Sequence, residues 1–99
     1  MYCLNCINQM MKRLSDNDIL ILEGILNEKA TIPQCSMDFK LIQEHFKNDK
    51  KITSHIIYTS LNRLNIFGFL EKQRWSRRLK YYITEDGINL LNMIQERID

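Results

Sequence analysis

TSHIIYTSLNRLNIFGFLEKQRWSRRLKYYITEDG, from Thr53 to Gly87, is the stretch that decides the fold of this chain. Its first half has a helical period. Thr53 or Ser54 caps a helix that ends near Phe67, and Gly68 stands where helices commonly turn left-handed and stop. At 100° per residue, Leu61 and Leu64 fall within about 40° of Ile57, so these three form the inward stripe. His55, Thr59, Asn62 and Arg63 fall beyond about 100° from that stripe. Side chains of these types hydrogen-bond base edges and phosphates. Ile56 and Ile66 also point partly outward, and the pattern gives no reason for Ile66. After Gly68 the period becomes two: Phe69 to Trp75 and Leu79 to Ile83 read as strands joined by a turn at Ser76-Arg77-Arg78. Leu79, Tyr81 and Ile83 share one face of the second strand, Lys80 and Tyr82 the other. Thr84-Glu85-Asp86-Gly87 then caps a last helix to about Ile98, with Ile88, Leu91, Ile94 and Ile98 on one stripe, widened by Leu90 and Met93.

Upstream of this block, Ser36 reads as the cap of a helix from Met37 to about Phe46, with Phe39, Ile42 and Phe46 inward. Pro33 breaks the segment before it, where Ala30–Ile32 has room for a very short strand. Ser15 with Asp18 three residues later marks the start of a helix from about Asp16 to Lys29 that buries Ile19, Leu22, Ile25 and Leu26. Residues 2–14 set Leu4, Ile7, Met11 and Leu14 on one helical stripe, and so short a helix needs a partner surface. The order is four helices, a hairpin and a closing helix. It is mainly α with a small β-hairpin: a winged helix-turn-helix over residues 15–99, with an N-terminal helical extension over 1–14 and a C-terminal helix.

The chain's 99 residues are enough for one domain, and its 44% hydrophobic and 26% charged residues are ordinary globular values. No apolar run approaches the roughly 18 residues of a membrane span. The N-terminus shows no secretory pattern, because Asn5, Asn8 and Gln9 interrupt its apolar stretch. A cytoplasmic protein is expected. The net charge of +2 hides a polarity. From Lys47 to Lys80 nine basic residues face two acids, a net of +7, whereas the remainder has five basic and ten acidic residues, a net of −5. A basic centre between acidic flanks suits a polyanion, although a merely solvated charged face has the same composition.

Ile57-Tyr-Thr-Ser-Leu-Asn-Arg-Leu64, Gly68-Phe-Leu70 and Arg78-Leu-Lys-Tyr-Tyr-Ile-Thr-Glu-Asp-Gly87 together resemble the winged-helix block of PadR-like regulators, and more distantly that of MarR-like ones. The resemblance covers about residues 52–90. It implies a homodimer on a partly palindromic operator, with a recognition helix at 55–65, a wing at 72–80, and release of DNA by an effector or other signal. PadR-like proteins usually begin directly with the first helix of the domain, whereas residues 1–14 precede it here, and their Gly-Tyr-Glu-like segment is replaced by Pro33-Gln-Cys-Ser-Met-Asp38.

These readings give sequence-specific binding of double-stranded DNA in transcriptional regulation, repression ahead of activation. Ser54, His55, Thr59 and Asn62 are the candidates for base-edge or groove contacts. Arg63, Lys50, Lys51, Arg74, Arg77, Arg78 and Lys80 are the candidates for phosphates. Leu4, Ile7, Met11 and Leu14 with Ile88, Leu91, Ile94 and Ile98 are expected to build a dimer interface, the alternative being that both stripes pack on their own domain. Cys3-x-x-Cys6 has the spacing of metal sites and redox pairs. Zinc needs two further ligands, and neither a second Cys-x-x-Cys nor a His-x-x-x-His is present, so reduced thiols rank ahead of an intersubunit disulfide, and metal ranks last. No nucleophile–base–acid set or Gly-rich phosphate loop appears, so neither an enzyme nor a cofactor is expected. Any effector is expected at a dimer interface, since one small core has little room for a pocket. Two rivals remain: a winged helix used as a protein-interaction module, and a DNA-binding replication or maintenance protein of a plasmid or virus.

Overall fold

Residues 13–98 are described by the computed structural model, in which α1 (Asp16–Asn27), a 3-10 turn (Pro33–Cys35), β1 (Met37–Asp38), α2 (Phe39–His45), α3 (Ser54–Ile66), β2 (Leu70–Trp75), β3 (Arg78–Ile83) and α4 (Glu85–Ile98) follow one another. The architecture is a winged helix. The expected helix carrying Leu4, Ile7 and Met11 lies outside the described residues.

Helix α1 begins in a reciprocal cap: the Asp18 N–H donates to Ser15 Oγ at 3.2 Å and the Ser15 N–H donates to Asp18 Oδ2 at 3.0 Å. It buries Ile21, Leu22 and Ile25 completely, while Ile19 and Leu26 pack only partly against the core. The buried stripe is therefore rotated from the one expected, and Asp18 lies on it. Beyond the helix, Lys29 takes a left-handed φ of 61°, and the Ala30 and Lys29 N–H groups return to the Ile25 and Leu26 carbonyls.

Three expectations for the next segment fail. Met37 and Asp38 form a strand instead of the first helical turn, and Asp38 rather than Ser36 caps α2, its Oδ1 accepting from the Leu41 N–H at 2.9 Å. Ser36 instead donates to the Pro33 carbonyl at 2.8 Å and accepts from Gln73 Nε2 at 3.2 Å. The proposed strand at Ala30–Ile32 is absent; only the Ala30 carbonyl joins the sheet, accepting from the Ile83 N–H at 2.8 Å. The sheet is thus antiparallel with order β1-β3-β2, Met37 opposite Tyr81 and Leu70 opposite Ile83.

Helix α3 matches its reading closely. Thr53 caps it through Oγ1, Ile57, Leu61 and Leu64 are buried, and Gly68 at φ 83° ends it. The Phe69 and Gly68 N–H groups close the end on the Leu64 and Asn65 carbonyls, and Asn65 Nδ2 donates to the Leu70 carbonyl at 3.0 Å. The turn of the hairpin is shorter than read. Trp75 pairs with Arg78, so only Ser76 and Arg77 connect the strands, with Ser76 at φ 59° supplying the positive φ that tight hairpins require.

The Thr84–Gly87 signature has a geometric reason. Thr84 Oγ1 donates to the Gly68 carbonyl at 2.7 Å and accepts from the Gly87 N–H at 3.0 Å. This draws α4 so close to the start of β2 that a Cβ on Gly87 would lie 2.4 Å from the Phe69 carbonyl oxygen.

Helix α4 does not present its apolar stripe as a free surface. Leu90 and Leu91 are buried in the core, and Ile88, Ile94 and Leu14 pack against it partly buried. The stripe expected at a dimer interface is to that extent consumed by its own domain, because a chain this small needs α4 to close its core. The side chain of Ile98 lies outside the described residues.

Candidate nucleic-acid interface

The outer side of α3 carries the polar residues expected of it. Ser54 and His55 are exposed, and Thr59 and Asn62 are half-buried. With Thr53 serving as the cap, the Ser54 hydroxyl is available for another bond and accepts from Gln43 Nε2 of α2 at 2.5 Å. His55, Thr59 and Arg63 share a shallow groove of about 270 Å³ with Ser15 and Asn17 from the start of α1. The α1 N-terminus therefore flanks the outer face of α3, which the helical period alone does not reveal.

Arg63 is corrected. It does not stand free on the outer face: its Nη1 donates to Asp18 Oδ2 at 2.7 Å. Asp18 is wholly buried and Arg63 is 38% exposed. Asp18 Oδ2 thus serves both the cap of α1 and the guanidinium of α3, while its Oδ1 has no hydrogen-bond partner. A carboxylate on a buried stripe requires such a partner. Asp18 precedes Ile21, Leu22 and Ile25 by three, four and seven residues, and that spacing is the signal that could have exposed the pair.

The remaining cations lie around α3 on two sides. Lys50 and Lys51 are exposed on the turn between α2 and α3. Lys50 lines a second groove with Lys47 and Ser54. Lys47 itself is taken by Glu44 at 2.7 Å. The hydrogen bond and charge of Lys47 hold the Glu44 carboxyl below its ordinary range, and those of Glu44 push the Lys47 ammonium up. On the wing, Arg74 and Arg77 are exposed, with no ion-pair partner among the described residues. Arg78 reaches Asp38 Oδ2 at 3.3 Å but stays 74% exposed, so its charge is still presented to solvent. Lys80 is half-buried on β3 opposite Asp38 and Gln73.

The wing is pinned at its base. Gln73 Nε2 donates to the Pro33 carbonyl at 2.9 Å as well as to Ser36. Tyr58 on the edge of α3 shares a cleft with Arg77, Arg78 and Leu79 of the wing tip, so α3 and the wing stand side by side. The cleft itself did not stand out in the sequence.

Among the described residues no group of three or more His, Cys, Asp or Glu is placed to hold a metal ion. Cys3 and Cys6 lie outside those residues. Cys35 is exposed as a free thiol in the 3-10 turn. No described helix is long and apolar enough to cross a membrane.

No protein-family model matches the sequence, and no curated protein does. Solved structures do match in fold. TubR from Bacillus megaterium pBM400 superposes with a TM-score of 0.75 at 18% identity, covering 89% of this chain and 93% of its own. SSV1 F-93 superposes with a TM-score of 0.59 at 15% identity, covering 87% of this chain and 96% of its own.

Proposed function

We propose that this chain binds double-stranded DNA sequence-specifically as a transcriptional regulator, most simply a repressor, with α3 in the major groove and the wing on the adjacent backbone or minor groove. One observation carries the reading: the exposed polar face of α3 stands beside a wing tip whose Arg74 and Arg77 have no acidic partner among the described residues. Ser54, His55, Thr59 and Asn62 face the base edges, in a groove about 12 Å wide. With Arg63 tied to Asp18, the phosphate contacts fall to Lys50, Lys51, Arg74, Arg77, Arg78 and Lys80. The regulatory role is what the resemblance of residues 52–90 to PadR-like regulators implies; no family model matches, and the reading requires no catalytic step.

A homodimer is proposed with it, since a two-fold operator needs two copies. The surface available is what α4 and Leu14 leave uncovered, chiefly the outer parts of Leu14, Ile88 and Ile94. Sedimentation at twice the 11.9 kDa chain mass is expected at micromolar concentration, and monomer alone refutes it.

The fold likeness to TubR from pBM400 and to SSV1 F-93, with no regulator family matching, favours keeping a second reading: DNA binding in the replication or maintenance of a plasmid or virus. Gel-shift competition between random duplex and the chain's own upstream region separates the readings. A regulator of its own promoter prefers the upstream region, a maintenance protein prefers another site, and a protein-interaction module shifts neither. The wing is tested by the double variant Arg77→Ala, Arg78→Ala. Each lost phosphate contact flattens the salt dependence by roughly 0.9, so the pair is expected to remove about 1.8 from the slope on every sequence. Unchanged affinity at low salt means that the surface is assigned wrongly.

A further inference from the structure

Two hydroxyls stand at the start of α3, and the helix needs only one of them. Thr53 Oγ1 caps it by accepting from the Ile56 N–H at 3.2 Å, which leaves the exposed Ser54 hydroxyl outside the capping bond. Ser54 Oγ instead accepts from Gln43 Nε2 of α2, a side-chain bond at 2.5 Å between residues eleven apart. A serine hydroxyl has one O–H to donate and two lone pairs with which to accept. With a lone pair taken by Gln43, the O–H of Ser54 remains unspent, so Ser54 meets whatever approaches this end of α3 as a donor.

The surroundings favour this polarity over its reverse. Gln43 and Ser54 line one groove with Lys47, Asp49 and Lys50. Lys47 is paired with Glu44, and Asp49 Oδ1 accepts from the Lys51 N–H. Lys50 is exposed, with no ion-pair partner among the described residues. In a helix-turn-helix the helix before the recognition helix crosses the nucleic-acid backbone. A phosphate drawn there by Lys50 has only acceptor oxygens, so the amide of Gln43 turns its NH₂ toward it. One N–H of that group serves the phosphate while the other holds Ser54.

We propose that Gln43, which touches no base, is a positioning residue that fixes Ser54 as a hydrogen-bond donor. Ser54 then selects guanine or thymine, which present acceptors in the major groove, over cytosine, which presents its amino group. The selection rests on the DNA-binding reading; the bond between Gln43 and Ser54 in the free chain does not.

The test uses the full chain and a randomised duplex pool, selected by gel shift and sequenced. The position read by Ser54 is the one whose preference Ser54→Ala abolishes. Wild type is expected to favour guanine or thymine there about two- to tenfold over cytosine, the worth of one neutral hydrogen bond. A carboxylate only accepts, so Gln43→Glu takes the Ser54 O–H and leaves lone pairs for the base, and the preference is expected to invert toward cytosine. The added charge weakens binding to all sequences alike and cancels from the ratio. Gln43→Ala frees the hydroxyl to rotate and is expected to erase the preference; it serves where Gln43→Glu fails to fold. Variants that lose affinity but keep the wild-type preference overturn the proposal, since a mere brace of α3 acts in that way. No position responding to Ser54→Ala overturns it as well. In the free chain the Gln43 side-chain amide resonances are expected to shift in Ser54→Ala, and unmoved resonances overturn the bond itself. A shift in a protein that never binds duplex removes the DNA reading and the selection while leaving the bond standing.

Discussion

Arg63→Ala separates a structural arginine from a phosphate ligand. The substitution leaves the wholly buried Asp18 carboxylate with the Ser15 N–H as its only described donor, since Oδ1 already has none. Removing one partner of a buried pair costs about 3–5 kcal/mol. Arg63 is 38% exposed, so water screens the guanidinium and the low end, about 3 kcal/mol, applies. In a domain of this size each kcal/mol moves the melting point by about 4–8 °C, giving a drop of about 12–24 °C. Thermal unfolding of wild type, Asp18→Ala, Arg63→Ala and the double variant measures it. The double variant is expected to lose less than the sum of the single ones, because neither charge is then left unpaired. A loss under about 0.5 kcal/mol in Arg63→Ala, with strict additivity, refutes the tether. A flattened salt dependence of DNA binding in that stable variant would return Arg63 to the phosphates.

Three further outcomes are expected. Gly87→Ala places a methyl 2.4 Å from the Phe69 carbonyl oxygen and 2.7 Å from Ile83 Cγ1, so denaturant titration should show a loss of about 1–3 kcal/mol from overpacking. Asn62→Ala should change the preference between related duplexes by about 1–3 kcal/mol per affected base pair, with the salt slope unchanged, as read by gel-shift competition. The folded Tyr81 phenol titrates above its ordinary 10.0, so its stabilisation is whole below that pH and is lost as the pH climbs through the raised value. Tyr81→Phe lacks this loss, and its urea midpoint relative to wild type should rise between about pH 9 and about pH 11.

Where one local period dominates, the sequence was readable. The Ile57, Leu61, Leu64 stripe, the Thr53 cap and the Gly68 stop need only helix geometry, and all three stand in the structure. Met37 and Asp38 were misread because their strand exists only through pairing with Tyr81 and Lys80, more than forty residues away. Asp38 was available as a cap as much as Ser36, and local propensity could not rank two good capping residues. The Asp18 partner of Arg63 was missed for a related reason. An angle on a helical wheel says which way a side chain leaves the helix, not whether a neighbouring helix supplies a buried acid to meet it. Ile66, without a reason in the sequence, is 78% exposed, and the fold supplies none either.

Helix α3 and the wing are held very differently, and the roles proposed for them follow from that. Helix α3 is capped at both ends, anchored by a buried stripe, tied to α1 through Asp18 and to β2 through Asn65. Groups that read base edges need this rigidity, because a small misplacement breaks a directional hydrogen bond. The wing is braced chiefly at its base, where β1 pairs with Lys80 and Tyr81 and Gln73 is bonded to the 33–36 segment; nearer the tip the described residues add the exposed Arg78–Asp38 pair. From Arg74 to Leu79 the hairpin is two-stranded, and a two-stranded ribbon has marginal stability of its own. Such a tip can follow a phosphate backbone whose path varies with sequence, since an arginine's charge tolerates displacement that a base-edge contact does not. On the DNA-binding reading proposed above, discrimination between sites belongs to α3 and affinity belongs to the tip.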